Sequence, residues 1–308
     1  MAGGGVGGAC RPRLRVEICP EFSRGLLPWT KPRPTMAWWR EFSRGSRLLK
    51  PPEDHEPLSL TSRDGRSMFA DNGATGVEGI VLDAVGTLIE PRPPVALAYA
   101  QAAWRQGVTL DVFTLKSRFR QHFRADEIDE QRGPLATSED VERRRWRRIV
   151  SGCLPEVADP DRAFAELWTH FGDPASWFVF PDVAPALARL EAAGLRLCVG
   201  SNFDGRLRAV ASGFPELRRF VATLVISSEV AYRKPHPRFY EAACNRLDLP
   251  ATRVVCVGDD PENDLRGPIR AGLRAALIAR GANGPVAPPS FRGLAEFAEE
   301  LLGDRGRD

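Results

Sequence analysis

From residue 77 onward, short apolar runs alternate with polar stops. Gly79–Leu82 ends at Asp83, and Leu195–Val199 ends at Gly200, Ser201 and Asn202. Ala222–Ile226 ends at Ser227, Ser228 and Glu229, and Arg253–Val257 ends at Gly258, Asp259 and Asp260. Short β-branched runs bounded by turn residues predict buried parallel strands, which are covered on both faces and need not alternate apolar with polar. Helical stretches lie between them: Val183–Ala193, closed by Gly194, then Pro237–Leu247 and Glu262–Ala271. A glycine just past the last periodic residue is a natural helix stop. Strands alternating with helices predict an α/β fold with a parallel sheet.

Between Arg92 and Phe180 the strand pattern disappears. Val95–Gln106, Asp111–Asp126, Glu139–Cys153 and Asp161–Phe171 read as helices. Ser138 ahead of Glu139 and Asp140 is a good N-cap, with acids in the first turn. Trp146, Ile149, Val150 and Cys153 make a stripe at helical spacing, and the arginines at 143, 144, 145, 147 and 148 read as a solvated helix face. Trp104, Trp146, Trp168 and Trp177 read as helical core. Residues 93–180 are therefore expected to form a helical cap inserted after the first strand, with residues 77–92 and 181–302 making the α/β core.

Residues 1–76 differ from the rest. They hold 10 Gly and 8 Pro and carry a net charge of +4. Their few aliphatic residues follow no period, so too little apolar surface is available to offset ordering entropy, and the segment reads as disordered. A pentapeptide, Glu21–Gly25, recurs as Glu41–Gly45, but two copies do not make a repeat fold. The whole chain of 308 residues is 43% hydrophobic and 27% charged, an ordinary globular mix. No run is long and apolar enough for a membrane span. A formal charge of +3 argues against a nucleic-acid partner. Cysteines 10, 19, 153, 198, 244 and 256 form no Cys-x-x-Cys pair, so they read as reduced thiols in a cytoplasmic protein.

In open parallel sheets, ligands bind beyond the carboxyl ends of the strands. Those ends here carry Asp83, Ser201, Asn202, Asp259 and Asp260. Of the 43 basic residues only Lys31, Lys50, Lys116 and Lys234 are lysines, so Lys234 in Lys234-Pro-His-Pro237 stands out in a chain that otherwise uses arginine. Four stretches follow one another: Asp83-Ala-Val-Gly-Thr-Leu88, Ser201-Asn202, Lys234-Pro235, and Gly258-Asp-Asp-Pro-Glu-Asn-Asp264.

Together they resemble the haloacid dehalogenase-like hydrolase superfamily, in its branch with a helical cap after the first motif. The resemblance implies a Rossmann-like core and a phosphohydrolase acting on a small phosphorylated metabolite. It assigns Asp83 as the nucleophile, since a carboxylate can attack phosphorus and form an acyl phosphate that water later opens. It implies that Thr87 orients the site and that Ser201 and Asn202 hold a phosphoryl oxygen. Lys234 would neutralise the nucleophile and the phosphoryl group. Mg2+ would be held by Asp83, the backbone carbonyl of Val85 and Asp259, with Asp264 supporting or joining them; hard oxygen ligands suit this ion.

The chain departs from the family pattern at Val85, where phosphatases of the family carry a second Asp that protonates the leaving oxygen and then activates water. General acid–base help is worth about 10²–10⁴-fold. Two alternatives follow: a phosphonate or other non-ester hydrolase, with Lys116 as the lone cap lysine, or a phospho-ligand-binding pseudoenzyme.

Overall fold

The computed structural model describes residues 76–282 and 290–305, so the disorder expected of residues 1–76 falls, but for Gly76, outside the described residues. The strands are β1 (Gly79–Leu82), β2 (Ile89–Pro91), β3 (Trp177–Val179), β4 (Arg196–Ser201), β5 (Val225–Ile226), β6 (Val254–Gly258), β7 (Arg274–Ile278) and β8 (Ser290–Phe291). Six of them form one sheet in the order β5-β4-β1-β6-β7-β8, every neighbouring pair parallel. β1 sits at the centre: Leu82 is in register with Val199 on one side and Val257 on the other.

The longer helices are α1 (Val95–Trp104), α2 (Val112–Gln131), α3 (Glu139–Cys153), α4 (Pro160–His170), α5 (Val183–Ala192), α6 (Arg206–Ser212), α7 (Pro237–Leu247) and α8 (Leu294–Arg305). Both sheet faces are covered, as the unbroken apolar runs require. Ile80, Leu82, Val255 and Val257 share a cluster with residues of α5, α6 and α8. Val81, Cys198, Val254 and Cys256 point to the other face, among Phe239, Tyr240 and Leu247 of α7. This is the predicted α/β, Rossmann-like arrangement.

Helices α1–α4 form the insert, with their own core of Tyr99, Leu115, Phe119, Ile149, Phe164 and Leu167. Ser138 caps α3 as expected, accepting a hydrogen bond from the Val141 amide. No helix among the described residues is long and apolar enough to cross a membrane. Cys153, Cys198, Cys244 and Cys256 are buried free thiols, and burial raises the pKa of each, Cys198 to about 12.

Several local expectations need correction. The insert is not purely helical: β2 and β3 pair antiparallel where the chain leaves the core and returns. Three residues give no readable period, although Trp177–Phe180 lies between Pro174 and Pro181 and is rich in strand formers. Residues 222–226 are mostly not strand, because Val221–Thr223 is a 3-10 turn and only Val225–Ile226 pairs at the sheet edge. The helix expected over Glu262–Ala271 opens as a π turn, Pro261–Arg266, before a short α turn, Gly267–Arg270.

Candidate active site

Asp83 directly follows β1, Ser201 ends β4, and Asp259 directly follows β6. Three neighbouring parallel strands thus deliver their polar ends to one edge. Asp83 is buried, and its Oδ1 accepts from Lys234 Nζ at 2.7 Å and Ser201 Oγ at 3.1 Å. Lys234 Nζ also donates to Asp264 Oδ1 at 2.7 Å. Asp264 Oδ2 accepts from the Asp260 amide, so the π turn is tied to the site it serves. Asp260 itself accepts from the Glu262 and Asn263 amides, capping that turn.

Asn202 holds Lys234 in place: its Nδ2 donates to the Lys234 carbonyl at 3.0 Å and its Oδ1 accepts from the Lys234 amide at 2.7 Å. Thr87 is not on the wall of the site cavity. It is fully buried, its hydroxyl has no hydrogen-bond partner, and its carbonyl accepts from the Arg280 guanidinium. Val85 lies on the cavity wall beside Asp83.

Carboxylate oxygens of Asp83, Asp259 and Asp264 lie within 4.8 Å of one another. Oxygens on opposite sides of an octahedral Mg2+ are separated by about 4.2 Å, so this cluster has the span and donor chemistry to hold a divalent cation. Two glycines make room for it. A Cβ on Gly86, whose φ is +87°, would lie 2.4 Å from Asp259 Oδ2, and one on Gly258 would lie 2.1 Å from Asp264 Cγ.

Burial raises the Asp83 pKa to about 6, with Asp264 adding to the rise and Lys234 opposing it. Burial alone would lower the Lys234 pKa, but Asp264 and Asp83 outweigh it and hold the ammonium protonated. One ammonium therefore serves two buried carboxylates. A folded-state pKa above the unfolded value means that Asp83 favours folding below pH about 4 and that this benefit is lost as pH rises through about 6. In the presence of a chelator, Asp83→Asn is expected to be more stable than the parent at pH 7.5 by roughly 1–3 kcal/mol. The difference should vanish near pH 4. Denaturant melts at the two pH values check this, and equal stability at pH 7.5 would contradict it.

Above the carboxylates a cavity runs between the sheet edge and the insert. Its wall includes Tyr99, Phe123, Trp146, Trp168, Trp177 and Phe203. Trp146, Trp168 and Trp177 are thus cavity wall rather than plain helical core, and Trp104 is 65% exposed. Arg145 is also not on a solvated face. It is 2% exposed, lines the cavity, bonds Asp126 and lies over the rings of Phe123 and Trp146. The signal was available, because Glu142, Arg145, Trp146 and Ile149 share the apolar stripe of α3. Arg233, next to Lys234, donates to Glu142 Oε1 at 2.7 Å, and Glu139 accepts from the Gly205 amide and the Ser228 hydroxyl. α3 therefore clasps the core beside the carboxylates. Lys116 is half-buried on α2 and is not part of the cavity wall.

Comparison with known proteins bears on the family and the fold. A family model, haloacid dehalogenase-like hydrolase, matches residues 77–272. The chain is 30% identical over 203 residues to the human haloacid dehalogenase-like hydrolase domain-containing protein 3, covering 64% of this chain and 79% of that protein. It is 32% identical over 148 residues to the plasmid phosphoglycolate phosphatase of Cupriavidus necator, covering 47% of this chain and 64% of that one. Its fold is similar to the crystal structure of a defluorinating L-2-haloacid dehalogenase, with TM-score 0.59, 19% identity, and coverage of 74% and 96%. Motifs, topology and matches coincide: the chain belongs to the haloacid dehalogenase-like hydrolase family.

Proposed function

We propose that this hydrolase is a Mg2+-dependent phosphohydrolase acting on a small phosphorylated molecule, with Asp83 as nucleophile. The observation that carries the reading is the convergence of Asp83, Asp259 and Asp264 on one point, with Lys234 bridging two of them at 2.7 Å. Three carboxylates and one ammonium leave a net negative pocket, which a dication complements. When bound, Mg2+ would neutralise charge on the phosphoryl oxygens; Asp83, Asp259, Asp264 and the Val85 carbonyl would hold it.

The chain's own groups do the rest. Ser201 Oγ and Lys234 Nζ fix one oxygen of Asp83, leaving the other for attack on phosphorus. Lys234 offsets repulsion between the site and an incoming dianion. Asn202 positions that lysine through its main chain and presents a polar edge to the cavity. The apolar rings of the wall lower the polarity beside the carboxylates, which strengthens the charge interactions below them. The phosphonate-hydrolase alternative would need a second amine, supplied by the insert, beside Lys234 in the cavity, and Lys116 is not on its wall.

Titration calorimetry tests the metal assignment. Asp259→Asn should weaken Mg2+ binding, and Gly86→Ala should weaken it too, because the new methyl group displaces the Asp259 carboxylate. Unchanged affinity in both variants would remove the assignment. Phosphate release from a broad ester panel, with Asp83→Asn as control, separates an enzyme from a protein that only binds.

A further inference from the structure

The cavity above Asp83 combines two features that are separate in origin. The first is an aromatic wall that includes Tyr99, Phe123, Trp146, Trp168 and Phe203. Three guanidinium groups line it, each bonded to a carboxylate: Arg206 to Asp204, Arg145 through Nε to Asp126, and Arg233 to Glu142. The Arg206 guanidinium lies 3.5 Å over the Trp168 ring, and Arg145 lies 4.9 Å over the Phe123 ring. Such a wall suits a flat apolar group. The second feature is Val85, which can donate no proton to a leaving oxygen. Asp260, which also lines the cavity, caps the π turn through its Oδ1.

We infer that the natural substrate is a small aryl phosphate, the phosphate monoester of a phenol, whose ring lies against the aromatic wall. This rests on the reading of Asp83 as the phosphoryl acceptor. A phenol ionises near pKa ~10, so its oxygen leaves as the anion without a proton donor, whereas an alkyl alkoxide does not. The missing acid and the aromatic wall then belong to one design. In the first step an Asp83 oxygen bonds to phosphorus as the phosphorus–oxygen bond to the ring breaks. The electron pair departs on the phenolic oxygen, which takes a proton from solvent. Water then attacks phosphorus, restoring the Asp83 carboxylate and releasing inorganic phosphate. The balance is one ester and one water consumed, one phenol and one phosphate formed.

The test uses the full chain with Mg2+ and a matched pair, phenyl phosphate and cyclohexyl phosphate, which differ little in size. The expected kcat/KM ratio is at least about 10² in favour of phenyl. Phenylphosphonate, which has no leaving group, should compete about 3–10-fold more tightly than cyclohexylphosphonate if a ring is recognised as such. Trp146→Ala should raise KM for phenyl phosphate more than for acetyl phosphate. A ratio near one in any of these measurements overturns the inference and leaves the phosphohydrolase reading standing. Failure to turn over any ester, acetyl phosphate included, by protein that binds Mg2+ would overturn that reading instead.

Discussion

Val85→Asp is expected to raise turnover of alkyl phosphates by about 10²–10⁴-fold. Val85 lies on the cavity wall two residues beyond Asp83, in a turn whose Gly86 amide is bonded to the Ile89 carbonyl. A carboxyl there would face the leaving oxygen, and any metal contact at this residue uses the backbone, which the substitution keeps. Aryl esters should gain much less in the first step, because a phenolate needs no proton. The gain should follow a rising limb below the new carboxyl's pKa only when water attack limits the rate, since the group then serves as base. Steady-state rates on alkyl and aryl esters, in parent and variant, check this. A folded variant that binds Mg2+ and gains on neither ester would contradict the role given to residue 85.

Lys234→Met should have the largest effect on stability. The Lys234 side chain is 1% exposed and contacts Asp83 and Asp264 at 2.7 Å each. Removing one partner of a buried ion network leaves charge uncompensated and typically costs about 3–5 kcal/mol. Without the ammonium, the carboxyls bind protons more readily in the folded state, so the loss should be greatest at neutral pH and shrink as pH falls toward 4. Mg2+ should recover much of it, because a ligand that binds only the folded state stabilises that state. Thermal melts across pH, with and without Mg2+, measure both effects. A variant as stable as the parent at pH 7.5, with no response to Mg2+, would contradict the electrostatic account of the site.

The parts of the fold legible in the sequence are those where one period dominates. β1, α3 and α7 fall on the expected boundaries because an apolar run or stripe is bounded by a capping or turn residue. Strand-end residues were legible for the same reason: Asp83, Ser201 and Asp259 each interrupt an apolar run, and parallel topology brings such interruptions together. Lys234 was legible through its rarity, although it meets Asp83 across 151 residues of chain. Short elements carried too few residues to show a period, which hid β3 and the 3-10 turn at Val221–Thr223. The π turn was hidden because residue type alone does not distinguish it from α-helix. The cavity wall was misread because an aromatic ring on an apolar stripe packs equally well against a core or beside an opening. Only the position of the insert over the sheet edge decides between them. Arg145 was misread through its company, since the neighbouring arginines at 143, 144, 147 and 148 are exposed.

The claim that Asp83 accepts the phosphoryl group is tested most directly by catching it. Val85 can activate no water, so the second step should be slower than the first when the leaving group is good. Rapid mixing with para-nitrophenyl phosphate and Mg2+ should then give a burst of phenol approaching one per active site. Acid-quenched protein should carry one extra phosphoryl group, located on Asp83 by peptide mass analysis and removed by hydroxylamine. Turnover of the ester with no adduct on Asp83 at any quench time, and undiminished in Asp83→Asn, would contradict the account.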